Sequence, residues 1–133
     1  MAIRPEALYQ AAHELNRMKP PLVSDEVCAR TMLNRMYYAA YLATRAAVRS
    51  HLGNASFDVT HTALANTLAD ATDADVSALG ARLALLKTAR EESDYQPDSS
   101  ITKASAALHL AHARYVLDNA GRLAGRFPHI RGR

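Results

Sequence analysis

Met36-Tyr37-Tyr38-Ala39-Ala40-Tyr41-Leu42-Ala43 runs for eight positions without a charge. Eight helical residues turn more than twice round the axis, so this run spreads apolar surface over every side. A helix of this kind has to be covered on more than one face. The run lies in a stretch free of Pro and Gly, from Ser24, an N-cap residue followed by Asp25 and Glu26, to Leu52-Gly53-Asn54, a C-cap signal. That length predicts one helix of 28 residues, about 42 Å long at 1.5 Å per residue. The longest element of a small chain belongs at its centre.

The rest of the chain reads as shorter helices around that one. It has 27 Ala and 16 Leu against nine Val plus Ile, a balance that favours helix over strand. A first helix is expected from Pro5 to Met18, with Leu8, Ala11, Ala12, Leu15 and Met18 as its apolar stripe, ended by Lys19-Pro20-Pro21. A third runs from about Thr60 to Asp70. A fourth runs to about Glu92 with Val76, Leu79, Leu83 and Leu86 inward, and Asp94-Tyr95-Gln96-Pro97-Asp98 breaks it. A fifth, capped by Ser99 or Ser100, reaches about Gly125, with Ile101, Ala104, Leu108, Tyr115 and Val116 inward. Residues 1–125 are thus expected to form one all-α domain, an antiparallel bundle of about five helices, and 126–133 a basic tail. At 133 residues the chain has room for one ordinary domain. Its single Cys28 excludes an intrachain disulfide or a Cys-based zinc cluster. No apolar run approaches the roughly 18 residues of a membrane span, and the start is unlike a signal peptide, so a cytoplasmic protein is expected.

The long helix carries two apolar stripes. One is Leu33, Tyr37, Ala40, Tyr41, Thr44 and Val48; the other is Cys28, Met32, Arg35, Ala39, Leu42, Ala46 and Arg49. A small bundle has neighbours for one of them. The second is expected to pack on another copy of the chain, giving a homodimer.

Charge is unevenly spread. Net charge is +3 with His neutral: +2 over residues 1–65, −4 over 66–98 and +5 over 99–133. The basic end, with Arg114, Arg122, Arg126, His129, Arg131 and Arg133, is suited to phosphates or to a solvated helix end. More telling is Arg90, which continues the Leu83–Leu86 stripe. A guanidinium keeps its charge, so partial burial demands an acceptor, and Asp94 stands one turn on with Tyr95 beside it.

Asn34-Arg35-Met36-Tyr37-Tyr38-Ala39-Ala40-Tyr41, followed about fifty residues later by Arg90-Glu91-Glu92-Ser93-Asp94-Tyr95, resembles the HEPN superfamily (higher eukaryotes and prokaryotes nucleotide-binding). The resemblance spans residues 5–120 and includes His61 at the start of the third helix. It implies a dimeric all-α bundle that binds RNA or a nucleotide, often beside a partner nucleotidyltransferase in toxin–antitoxin or defence pairs. It marks Arg90, Asp94 and Tyr95 as motif positions that a variant catalytic site would use, and Arg35, Tyr37, Tyr38, Arg90 and His61 as RNA- or nucleotide-binding candidates. Many relatives are metal-independent endoribonucleases in which four to six residues separate the arginine from a histidine. Here the positions of that histidine hold Tyr95, Gln96 and Pro97, so binding without RNA cleavage is the leading expectation. An endoribonuclease with a variant Arg90/Asp94/Tyr95 site and a structural helical interaction module are the alternatives.

Other groups read more plainly. His61 has the imidazole that a ribose-activating base needs near neutral pH, if the third helix brings it to Arg90. His109 and His112 stand at i, i+3 without an acidic partner on their helix, and His112 reads as a core histidine, so neither a metal nor another cofactor is expected. Asp70, Asp73 and Asp75 read as a solvated acidic turn. Cys28 reads as packing. Tyr37, Tyr38 and Tyr41 are suited to stacking on bases or to filling the core.

Overall fold

The computed structural model describes residues 4–18, 24–53, 60–95 and 100–130, and every regular element among them is helical. The order is α1 (Pro5–Arg17), α2 (Asp25–Leu52), α3 (His61–Ala69), α4 (Ala74–Tyr95), α5 (Lys103–Ala107) and α6 (Leu110–Leu123), closed by a 3₁₀ turn at Ala124–Arg126. α2 is the hub and packs against α1, α4, α5 and α6, while α3 packs on α4. The all-α bundle around a long second helix is therefore as expected.

The helix ends follow their side chains. Ser24 Oγ accepts from the Val27 N–H at 3.2 Å, and Thr60 Oγ1 from the Ala63 N–H at 3.1 Å. Gly53 closes α2 at φ 66°, the left-handed conformation for which glycine carries no Cβ penalty. Asp73, expected in a solvated turn, accepts at Oδ1 from the N–H groups of Asp75 and Val76 and so caps α4. Its Oδ2 holds Arg126 at 2.6 Å.

Four expectations are corrected. α4 continues through Asp94 and Tyr95, because a proline at 97 restricts the residue before it and leaves those two free to stay helical. The expected fifth helix is two helices, broken at Leu108-His109. Thr102, not Ser100, caps the first of them in a reciprocal box with Ser105. Ser99 lies outside the described residues, as do the expected loop at 54–59, Lys19-Pro20-Pro21 and Gln96-Pro97-Asp98. The inward stripe there is Ala106, Ala113, Val116, Ala120 and Leu123, while Leu108 is 76% exposed and Ala104 is exposed too. Leu108 stands about 200° round the axis from Ala106 at 100° per residue.

Part of the second stripe of α2 is covered from within the chain. Cys28, Met32 and Ala39 are buried, and the Cys28 thiol donates to the Leu15 carbonyl of α1 at 3.3 Å. Leu42 and Arg49 remain half-buried and Ala46 exposed. The segment expected as a loose tail folds back as far as it is described. Ile130 is buried, Phe127 packs on the core, and Arg126 pairs with Asp73 and Asp75. Arg131 and Arg133 lie outside the described residues.

Gly80 sits where α4 crosses the end of α3. A Cβ there would lie 2.2 Å from the Ala69 nitrogen and 2.5 Å from the Leu68 carbonyl carbon, both backbone atoms that cannot swing aside. Gly80→Ala is expected to lower stability by about 1–3 kcal/mol, as overpacking does. Gly121→Ala, in the open on α6, should raise it by about 0.5–1 kcal/mol. Urea unfolding of both variants checks the pair.

His109 is half-buried at the α5–α6 break, and its Nδ1 has no hydrogen-bond partner among the described residues. Burial, followed by the charge of His112, pushes its pKa below the ordinary value. Protonation then favours the unfolded chain. The stability this neutral ring allows is complete above the unfolded value of about 6.5 and is lost as pH falls through the lower folded one. Unfolding midpoints measured from pH 7.5 down to 5 should fall for the wild type and fall less for His109→Gln.

Candidate functional site

One face of α2, the start of α3 and the last turns of α4 meet around Arg90. Tyr37 is the largest fully buried side chain and forms the floor. Its phenol hydroxyl bonds His61 Nδ1 on α3. Burial raises the Tyr37 pKa above the ordinary phenol value, despite the opposing charge of Arg90, so the group stays a neutral phenol at physiological pH. When it donates to Nδ1, the imidazole carries its proton on Nε2. The His61 ring also stacks on Tyr41, with centroids 3.8 Å apart and planes 14° apart. Tyr38 meets Tyr37 edge-on at 5.4 Å.

Arg90 reaches into this aromatic wall from α4. Its side chain is 12% exposed. The guanidinium carbon lies 5.1 Å from the Tyr37 ring centroid, 5.7 Å from that of Tyr38 and 5.9 Å from that of Tyr95. Nη1 is 3.3 Å from Asp94 Oδ2, one turn along the same helix. Among the described residues its buried Nε has no hydrogen-bond partner. Burial opposes the charge, but Tyr38, Tyr95 and Asp94 outweigh it and hold the pKa above the ordinary arginine value.

Magnitudes show that the ring faces and Asp94 roughly offset the cost of withdrawing this cation from water. Desolvating an ion costs several kcal/mol. Ring faces return about 0.5–2 kcal/mol each, and a partly exposed ion pair less than about 1 kcal/mol. An apolar residue on the Leu83–Leu86 stripe would fill the same space without that cost. The site holds a permanent cation with part of its donor set unused.

The end of α4 is itself pinned. Arg30 on α2 donates to the Ser93 carbonyl, and the Ser93 hydroxyl donates to the Arg90 carbonyl at 2.7 Å. A cation at a helix C-terminus also complements the dipole. These contacts fix the turn that carries Arg90, Asp94 and Tyr95.

The expected residues thus divide. Arg90, Asp94, Tyr95, Tyr37, Tyr38 and His61 converge on one place. Tyr37 is fully buried, so it supports His61 and Arg90 and offers no face to a ligand. Tyr95, 71% exposed, and half-buried Tyr38 and His61 are the surfaces that remain. Arg35 does not join them. It stands about 200° round α2 from Tyr37, is exposed, and lines a groove with Ala11, Leu15 and Met18 of α1.

Tyr41, suited by its spacing to stacking on bases or to filling the core, is buried here, and Arg30, Ser93 and Arg45 join the cluster without having been expected there. Arg45 follows Tyr41 by four positions, and that spacing was the available signal; its guanidinium carbon lies 5.5 Å from the Tyr41 centroid. The basic end is largely spoken for. Arg114 is bound by Glu6 and Asp118, Arg126 by Asp73 and Asp75, and Arg122 by the Asn119 amide oxygen. Among the described residues no three His, Cys, Asp or Glu side chains could hold a metal, and no helix is long and apolar enough to cross a membrane. Compared with family models, curated proteins and solved structures, the chain matches none.

Tyr37→Phe keeps the ring under Arg90 and removes only the hydroxyl that holds His61. It is expected to cost about 1 kcal/mol, the net worth of a hydrogen bond plus an imidazole left without that partner. Tyr37→Ala should cost about 3–5 kcal/mol through the cavity it leaves. Thermal unfolding gives the two losses, and the His61 ring resonances should shift in the Phe variant.

Proposed function

We propose that this chain is a HEPN-like helical protein that binds RNA or a nucleotide at the Arg90 cluster and does not itself cut RNA. The observation that carries the reading is Arg90: a permanent charge, mostly withdrawn from water, set against tyrosine rings with one nearby carboxylate and an unused Nε. A phosphate oxygen is the acceptor that a planar guanidinium takes best, and a low-dielectric wall strengthens the attraction. Tyr95 and Tyr38 offer ring surface to a base beside that phosphate. The resemblance extends the proposal to a homodimer acting in the cytoplasm, with a partner nucleotidyltransferase in a toxin–antitoxin or defence pair.

A second reading has one observation in its favour. His61 lies against Tyr37, the same ring that supports Arg90. In an endoribonuclease of this design His61 would take the ribose 2′-hydroxyl proton, Arg90 would steady the phosphate, and Asp94 and Tyr95 would orient Arg90. The third reading makes Arg90–Asp94 a structural pair only.

Titration with single-stranded RNA and with mononucleotides at stated salt separates the three. Binding that falls at least tenfold in Arg90→Ala, and only partly in Arg90→Lys, supports the proposal, because lysine keeps the charge and loses the fork. No binding by the wild type sinks it, and a lower melting temperature in Arg90→Ala alone would favour the structural reading. Labelled RNA incubated with the protein in EDTA should stay intact. Cleavage lost in both Arg90→Ala and His61→Ala would establish the second reading instead.

A further inference from the structure

We infer that Arg45 forms a second anion position, so that the ligand of the Arg90 site is a single-stranded oligonucleotide carrying at least two separated phosphates. This rests on the nucleotide-binding reading of Arg90 and adds a residue to it. The two arginines stand at opposite ends of one continuous aromatic wall. Arg90 lies 5.1 Å from the Tyr37 ring, Tyr37 lies 6.1 Å from Tyr41, and Arg45 lies 5.5 Å from Tyr41. His61 fills the middle, stacked on Tyr41 and bonded to Tyr37.

Helix geometry places the strip on one side of α2. At 100° per residue Tyr38, Tyr41 and Arg45 fall within an arc of about 60°. Among the described residues no carboxylate lies within ion-pair distance of Arg45, whereas Arg114 and Arg126 are each held by two carboxylates. Among the described residues Arg90 has one carboxylate partner, Asp94. The two ends of the wall are therefore positive and weakly neutralised, and the span between them offers the half-buried rings of Tyr38 and His61, 6.0 Å apart, above the buried Tyr37 and Tyr41. Charge complementarity selects an occupant with negative charge at both ends and flat groups between, which is a stretch of phosphate, base and phosphate. A mononucleotide satisfies only one end.

The test measures two probes, uridine 5′-monophosphate and a single-stranded hexauridylate, against wild type, Arg45→Ala and Arg45→Lys at about 50 and about 200 mM salt. The hexamer is expected to bind wild type at least tenfold more tightly than the monophosphate. Arg45→Ala should weaken the hexamer much more than the monophosphate and so remove most of that advantage. It should also lower the salt slope for the hexamer by about one, as loss of a phosphate contact does. Arg45→Lys should restore part of both. Equal binding of the two probes by wild type, or equal weakening of both in Arg45→Ala, overturns the second position while leaving the Arg90 site standing. Failure of both probes to bind wild type removes the Arg90 reading, and this inference with it.

Discussion

The architecture depends on the need to cover α2 on all sides. A helix whose middle is apolar all round is stable in water only if neighbours enclose it. α1, α4, α5 and α6 do so, with buried alanines on α1, α5 and α6 and leucines on α4 filling the space around it. Everything that follows is a consequence of which neighbour lands on which face. α4 lands beside Tyr37, and α3, carried on α4 through the contact at Gly80, brings His61 to the same ring.

The charge at position 90 is the cost attached to that packing. Three tyrosine faces, one carboxylate and a pinned helix end surround a cation that an apolar residue could replace. Elsewhere the same chain uses arginine conservatively. Arg114 clasps α1 to α6 with two carboxylates and the Tyr9 ring, and Arg126 ties the last described segment to the start of α4. Set beside those arginines, each held by two carboxylates, Arg90 has one carboxylate partner and Arg45 none among the described residues.

Much of the site was legible before any coordinates. Arg90 on an inward stripe with Asp94 at i+4 is a local relation that helix periodicity predicts. The role of Tyr37 was only half legible. Its spacing admitted both core and ligand contact, and burial decided for core. Arg45 was passed over because a charged residue after an apolar run reads as the solvated end of that run, and its contact with Tyr41 depends on rotamer.

Local chemistry alone determined the helices, their caps at Ser24 and Thr60, the stop at Gly53 and the existence of one long central element, because each depends on interactions within a few residues. The tertiary structure decided the rest. It split the last expected helix and turned Leu108 outward, since alanine gives periodicity little signal and the inward face there is largely alanine. It buried Cys28, Met32 and Ala39 of the second stripe of α2, left Arg35 and Ala46 exposed, and separated Arg35 from Arg90. It joined residues 37, 61 and 90, because contacts between distant segments follow from how whole faces fit together, which no short stretch of sequence contains.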